Sequence, residues 1–314
     1  LEPSNPRTLP IGITMGDTAG IGPEVVVKAL ARLRSGKVLL IGSQEVFESE
    51  QRRRRIAVLA RSRIVDPVGR LGRFSMGKVQ KQCGEAAYAC LKKGVELLNK
   101  GEISGLVTAP VSKQAMRLAG FRWPGQTEFL AEGLGSSSFA MLAWTPKFKA
   151  VFVTIHLPLC QVSRHITPEL VAEKTALLER FLRLEGKQRP RIAVMALNPH
   201  GDEFSQGEED RIRAGIRLAG RAGVLAEGPI PADAAVAAPS AYDGFVAMYH
   251  DQAMIPAKLL GRDAGVNVTL GLSKVRTSPL HGVAFDIAGQ GRASEASTMA
   301  AVRLARRLVC RQSS

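Results

Sequence analysis

Five histidines occur in the 314 residues, and three of them share a setting. His156 follows the apolar run Ala150–Ile155, and His200 follows Ile192–Leu197 through Asn198 and Pro199. His250 follows Phe245–Met248 through Tyr249. Each run reads as a strand, so each imidazole is placed at or near a strand's C-terminal end. Three such ends in one sheet could converge. Neutral imidazoles suit a divalent metal, and three protein ligands leave positions open for substrate. Taken singly, a histidine is most often a satisfied structural residue, so the metal reading rests on the shared placement. Asp251, next to His250, and Asp233 could orient these rings or add an oxygen ligand.

A second set of residues suits an anion. Lys258, Asn267 and Arg276 surround the run Gly265–Gly271. A lysine, an amide and an arginine are good donors to phosphate or carboxylate, although scattered surface charges read the same way. Near the start, Met15–Glu24 (MGDTAGIGPE) holds three glycines that allow a tight turn and close backbone approach. The helix that follows offers free N–H groups and the positive end of its dipole. The loop is not GxGxxG and no Walker lysine follows, so it reads equally as a plain strand-to-helix turn. Ser112 and Lys113 are adjacent, but without a GxSxG elbow they do not make a serine hydrolase.

The elements that must position these groups alternate. Strands are expected at Ile11–Met15, Val38–Ile41, Gly105–Thr108, Phe139–Trp144, Ala150–Ile155, Arg191–Leu197, Gly244–Met248 and Val266–Leu270. Several are continuous apolar runs, as in strands covered on both faces. Helices are expected at Pro23–Arg34, Glu85–Asn99, Thr127–Leu134, Pro168–Arg183, Glu208–Arg221 and Glu295–Val309. In Glu85–Asn99 a stripe of Ala86, Cys90, Val95, Leu97 and Leu98 should be buried, with Lys92, Lys93 and Glu96 outward. The alternation predicts an α/β fold with a largely parallel sheet.

Composition excludes other classes. Apolar residues are 45% and charged residues 23%, ordinary for a globular chain and wrong for a disordered or collagen-like one. No stretch reaches the ~20 apolar residues of a membrane span, and Leu1–Pro10 has no apolar leader core and reads as an exposed tail. The four cysteines form no CxxC pair and read as free buried thiols in a reducing cytoplasm. A formal net charge of +15 favours anionic partners. The run Arg52–Arg55 could touch a nucleic acid backbone, but reads better as a solvated helix end. Aromatic residues are only 5%, too few for base-stacking platforms, and no zinc-finger, RRM or basic-zipper pattern is present.

Several segments together resemble the 4-hydroxythreonine-4-phosphate dehydrogenase family. They are GLVTAPVSK (105–113), TEFLAE (127–132), HLPL (156–159), LNPHGDE (197–203), GPIPAD (228–233), MYHDQ (248–252), GVNVTLGL (265–272) and RTS (276–278), in the family's order across nearly the whole chain. MGDTAGIGPE and HGVAFDIAGQG (281–291) are similar to the glycine loop and cofactor segment of the wider isocitrate/isopropylmalate dehydrogenase fold.

The resemblance implies a two-lobe α/β fold of αβα layers with an active-site cleft between the lobes. One lobe would comprise 1–135 plus 273–314 on the cofactor side. The other, 136–272, would carry the metal ligands and the dimer contact. It implies oxidation of a secondary alcohol by NAD or NADP, then loss of carbon dioxide, in the pathway to pyridoxal phosphate. His156, His200 and His250 take the metal positions, for one Zn²⁺, Mg²⁺, Mn²⁺ or Co²⁺ per site. Lys258, Asn267, Arg276, Gln126 and Thr127 take substrate positions, and Gly16, Asp17, His281 and Gly282 cofactor positions. A cytoplasmic homodimer with a shared active site and a small phosphorylated or acidic substrate is implied, without membrane or nucleic acid.

Two residues depart from the family pattern. Gln126 stands where typical members have a substrate-binding histidine, and Thr18 replaces a proline common in the glycine loop. Glutamine cannot be protonated near neutral pH. The substrate is therefore either 4-phosphohydroxy-L-threonine or that of a relative acting on phosphorylated threonate, erythronate or an aromatic cis-dihydrodiol. The alternative of another class is a basic nucleic-acid-binding protein with an enzyme-like fold.

Overall fold

The computed structural model describes residues 9–33 and 37–312. Residues 1–8 of the expected tail lie outside the described residues. The chain divides into two compact units. One comprises the residues up to Ser137 and from Leu272 onward, and the other is Ser138–Gly271. In chain order the strands are β1 (Ile11–Thr14), β2 (Val38–Ile41), β3 (Arg63–Val65), β4 (Gly105–Thr108), β5 (Ala140–Trp144), β6 (Lys149–Phe152), β7 (Ile192–Met195), β8 (Ala226–Ile230), β9 (Gly244–Ala247), β10 (Val266–Leu270) and β11 (Val275–Pro279).

The first unit holds five parallel strands in the order β3-β2-β1-β4-β11. β1, β4 and β11 are buried along their whole length, as a parallel sheet covered by helices requires. The helix Lys81–Asn99 packs on β1 and β4, and the helix Ala296–Gln312 on β4 and β11. The expected stripe of Lys81–Asn99 is the buried face, and Cys83 and Cys90 lie on it. Burial pushes the Cys90 thiol up to about 12, so it is inert packing material. Cys160 and Cys310 are exposed, contrary to expectation.

In the second unit the order is β10-β5-β6-β9-β7-β8. β5 runs antiparallel to both β10 and β6, the exception in a sheet that is otherwise largely parallel, as expected. β6, β9, β7 and β8 run parallel to one another. The helix Pro168–Leu184 packs across β5, β6, β7 and β9. Its start is set by Pro168 in the first turn and by the Thr167 hydroxyl, which accepts from Leu170 N.

Three strands and several helices escaped the pattern. β8 contains Gly228 and Pro229, but it is a sheet edge, where a missing N–H breaks no ladder. β11 reads as polar (VRTSP) yet is wholly buried. β3 has only three residues. The helix His250–Gly261 carries Pro256 in its interior, which argues against a helix on propensity alone.

The Arg52–Arg55 run does end a helix, Gln44–Arg54, with Arg55 in the left-handed region at φ 54°. It is not simply solvated. Arg52 is 68% exposed, but Arg54 is 13% exposed and paired with two carboxylates. Among the described residues no helix is long and apolar enough to cross a membrane.

Candidate active site

The three histidines lie beyond the C-terminal ends of three strands that are direct neighbours. β6 pairs with β9 and β9 with β7, all parallel. His156 follows β6, His250 follows β9 and His200 follows β7. Open α/β sheets place ligands at this edge.

Side chains that the sequence reading did not single out hold these ends together. The Thr154 hydroxyl donates to Met248 O at 2.7 Å, joining the continuation of β6 to that of β9. The Gln252 amide accepts from Met248 N at 2.7 Å and donates to Ala196 O at 2.6 Å, joining β9 to β7. Glu209, fully buried, accepts from Leu197 N at 3.0 Å and Asn198 N at 2.9 Å. Burial alone would raise the Glu209 carboxyl, but hydrogen bonds involving Ser205 and Asn198 outweigh it and hold the group below the usual range. Beside it, Glu208 accepts from the Ser163 hydroxyl and from Gln206 N and is held down to about 2. The only sequence signals were Gln252 within MYHDQ and the acidic start of the helix Glu208–Arg221.

His156 and His250 meet. Their ring centroids are 6.2 Å apart, and both line a cavity of about 250 Å³ with Tyr249 and Asp251. Asp251 Oδ1 lies 2.6 Å from His250 Nδ1, which leaves Nε2 as the atom that can coordinate. Asp233 is exposed in the first turn of the helix Ala232–Ala237. His200 is exposed, in the left-handed region at φ 55°, with its ring 5.9 Å from Phe204. Among the described residues no group of three or more His, Cys, Asp and Glu side chains is gathered closely enough to hold a metal ion. The donor set thus fits a divalent cation in residue type and strand-end placement, while the three rings are not drawn to one point.

The first unit positions Arg276. It sits on β11 opposite Leu106 of β4, is 2% exposed and donates to the Thr108 hydroxyl at 2.6 Å. Desolvation pulls its guanidinium down to about 10, with Glu128 opposing the fall, so it stays a cation at neutral pH. Gln126 and Thr127 open the helix Gln126–Gly133 that also carries Glu128. In the second unit, Asn267 is half-buried on β10 and Lys258 is exposed on the helix His250–Gly261.

Polar atoms without partners mark several of these residues. Gln126 Oε1, Asn267 Oδ1, Asp17 Oδ2 and His281 Nε2 are all buried with no hydrogen bond. Buried polar atoms are nearly always satisfied, so such orphans point to a missing ligand or solvent. Asp17 is 1% exposed, and its Oδ1 accepts from Ala19 N at 2.9 Å. Burial raises its carboxyl, partly offset by backbone N–H donors. Gly16 at φ 77° lies so close to Pro110 O that a Cβ there would clash, which is why the loop needs glycine. Burial pulls the His281 imidazole below its ordinary value, and Gly282 beside it is exposed. Ser112 caps the helix Lys113–Leu118 by accepting from Ala115 N, a structural role.

Comparison with known proteins shows the family. The signature of the family described as Pyridoxal phosphate biosynthetic protein PdxA matches residues 19–305. The D-threonate 4-phosphate dehydrogenase of Salmonella typhimurium is 38% identical, over 96% of this chain and 99% of that protein. The solved 4-hydroxythreonine-4-phosphate dehydrogenase of Klebsiella pneumoniae is 33% identical with a TM-score of 0.84, covering 96% of this chain and 99% of the other. A terephthalate 1,2-cis-dihydrodiol dehydrogenase from Burkholderia xenovorans LB400 is 28% identical with a TM-score of 0.66, over 95% and 98% of the two chains. With its fold, its strand-end histidines and this likeness along nearly its whole length, the chain belongs to the PdxA family of dehydrogenases.

Proposed function

We propose that this chain oxidises a small phosphorylated hydroxy acid, either D-threonate 4-phosphate or 4-phosphohydroxy-L-threonine, with NAD or NADP as acceptor, followed by decarboxylation of the oxo acid. The observation that carries the reading is the placement of three imidazoles beyond three adjacent parallel strand ends. The two relatives named for phosphorylated substrates are 38% and 33% identical, against 28% for the dihydrodiol enzyme, which favours the phosphorylated class.

His156, His200 and His250 would hold a divalent ion, which supplies a Lewis acid for the substrate's oxygen atoms. Three imidazoles favour Zn²⁺, Co²⁺ or Mn²⁺ over Mg²⁺. His200 is exposed, so its side chain can turn without disturbing core packing. A nicotinamide, when bound, would supply the hydride acceptor, and the protein's own residues position and polarise the substrate. Arg276 keeps its charge and, donating to Thr108, its orientation; its planar fork suits the anionic end of the substrate. Lys258 adds a mobile positive charge, and Asn267, Thr127 and Gln126 add neutral donors and acceptors. Gly16, Asp17, His281 and Gly282 belong on the cofactor side. A homodimer is supported by apolar surface around the histidines. Leu159 lines their cavity yet is 68% exposed, and Ile255 and Leu259 stand out from the helix His250–Gly261. The cytoplasm is the compartment such a reaction suits.

The test is turnover of D-threonate 4-phosphate, D-erythronate 4-phosphate and 4-phosphohydroxy-L-threonine with each nicotinamide, following absorbance of the reduced ring in the presence of Zn²⁺, Co²⁺, Mn²⁺ or Mg²⁺. Metal-dependent reduction with at least one substrate is expected. No reduction with any combination would overturn the reading.

A further inference from the structure

Arg54 belongs to a buried cluster that grips the segment 281–291. Its Nη2 donates to Glu24 Oε2 and to Gly289 O, both at 3.2 Å, and its Nε donates to Glu50 Oε2 at 3.3 Å. Lys28 Nζ donates to Glu24 Oε1 at 2.8 Å, Gly291 O at 2.9 Å and Ala293 O at 2.8 Å. All three protons of that ammonium are therefore used. Glu24 Oε1 also accepts from Ala293 N at 3.1 Å. One carboxylate and two cations thus hold the backbone at residues 289, 291 and 293.

The part of the chain they hold is one that would otherwise be loose. Gly289 and Gly291 both have positive φ, 78° and 75°. Glycine reaches many conformations, so a turn built on two of them is not self-determined. On the apolar side, Ala284, Ile287 and Ala288 pack with Ile21, Val25 and Met76. The same helix, Gly22–Arg32, therefore supplies both the apolar seat and, through Glu24 and Lys28, the polar grip. Isolated surface ion pairs contribute little. This cluster is different because Glu24 and Glu50 are 2% and 4% exposed and Arg54 bridges the two, so removing it leaves each buried carboxylate with a single cation, Lys28 or Arg53.

We propose that Arg54, with Lys28 and Glu24, is a positioning residue for the nicotinamide dinucleotide: it presets the 281–291 segment and thereby sets dinucleotide affinity without touching the dinucleotide. The inference rests on the reading that this segment receives the cofactor. The physical link is preorganisation. A turn that must be ordered on binding lowers affinity by the fraction of time it is competent.

The experiment is a fluorescence titration of NADH and NADPH into the full-length protein, alongside metal content at the histidines of the other unit. Arg54→Met should raise both dissociation constants at least tenfold while metal content stays that of the parent. Arg54→Lys keeps the charge but not the fork, so it should recover part of the loss. His281→Ala tests the underlying reading separately. An unchanged NADH constant in His281→Ala would remove the cofactor reading itself. A weakened constant there, with Arg54→Met within twofold of the parent, would overturn only the clamp. Should Arg54→Met lose NADH binding and metal content together, with no recovery in Arg54→Lys, Arg54 is merely structural and the proposal fails.

Discussion

The Thr154 hydroxyl donates to the carbonyl of Met248 at 2.7 Å, from just beyond one strand to just beyond its neighbour. His156 stands two residues after Thr154 and His250 two residues after Met248, so this bond ties together the backbone that carries two imidazoles. Thr154→Val keeps the shape and removes the hydroxyl donor, leaving Met248 O with the Thr154 N–H at 3.1 Å. The loss should be about 1 kcal/mol of stability, with metal affinity reduced by up to roughly tenfold because the two strand ends are then joined by main-chain bonds alone. Metal titration and thermal unfolding of the same variant check both.

Replacing His156, His200 or His250 by Ala should each abolish metal uptake while leaving the far-ultraviolet circular dichroism unchanged. The prediction is sharpest for His200, whose ring is beside Phe204 rather than beside the other two. Undiminished metal content in His200→Ala would exclude it from the site.

Arg276 should anchor the acidic end of the substrate. Arg276→Lys retains the charge but loses both the fork and the bond to Thr108, so kcat/KM should fall by roughly ten- to a hundredfold, the equivalent of about 1.5–3 kcal/mol. Thr108→Val, which only frees the guanidinium to reorient, should cost less. Kinetics indistinguishable from the parent in both variants would place the anion elsewhere.

Gln126 predicts the substrate. An amide can neither carry a proton nor a charge at neutral pH. The protein should therefore work poorly on 4-phosphohydroxy-L-threonine and better on D-threonate 4-phosphate, and Gln126→His should shift the ratio of the two kcat/KM values toward the former. Good turnover of 4-phosphohydroxy-L-threonine by the parent, with no gain from the substitution, contradicts this.

Glu208 gives an acid limit. Its carboxyl is held down to about 2 from an ordinary 4.5, first by the Ser163 hydroxyl. A carboxylate with a depressed folded-state value stabilises fully above its unfolded value, and that stabilisation disappears as pH falls from about 4.5 toward 2. Glu208→Gln should be less stable than the parent at pH 7 but converge with it in acid, as followed by denaturant unfolding across that window.

Much of the scaffold was readable because its signals are local. β2, β4 and β10 and the helix Glu208–Arg221 have the limits their apolar runs and end residues imply. The alternation of such runs with amphipathic stretches requires helices on a sheet, and the histidines after three of those runs were visible as a set. What lacked a local signal was missed for a local reason: Pro229 in an edge strand, Pro256 inside a helix, and a polar β11 that only becomes a strand because β4 offers a ladder to pair with.

The sequence by itself determined which residue types stand at the strand ends and that Gln126 departs from the family's histidine. Only the tertiary structure decided that β6, β9 and β7 are neighbours, because strand order depends on crossovers far longer than any periodicity. It alone turned Arg54 inward to Glu24 and Gly289, partners 30 and 235 residues away in the chain. And it alone gave Thr154, Gln252 and Glu209 their work, since a buried backbone group must find a partner and nothing in a linear pattern says which side chain will reach it.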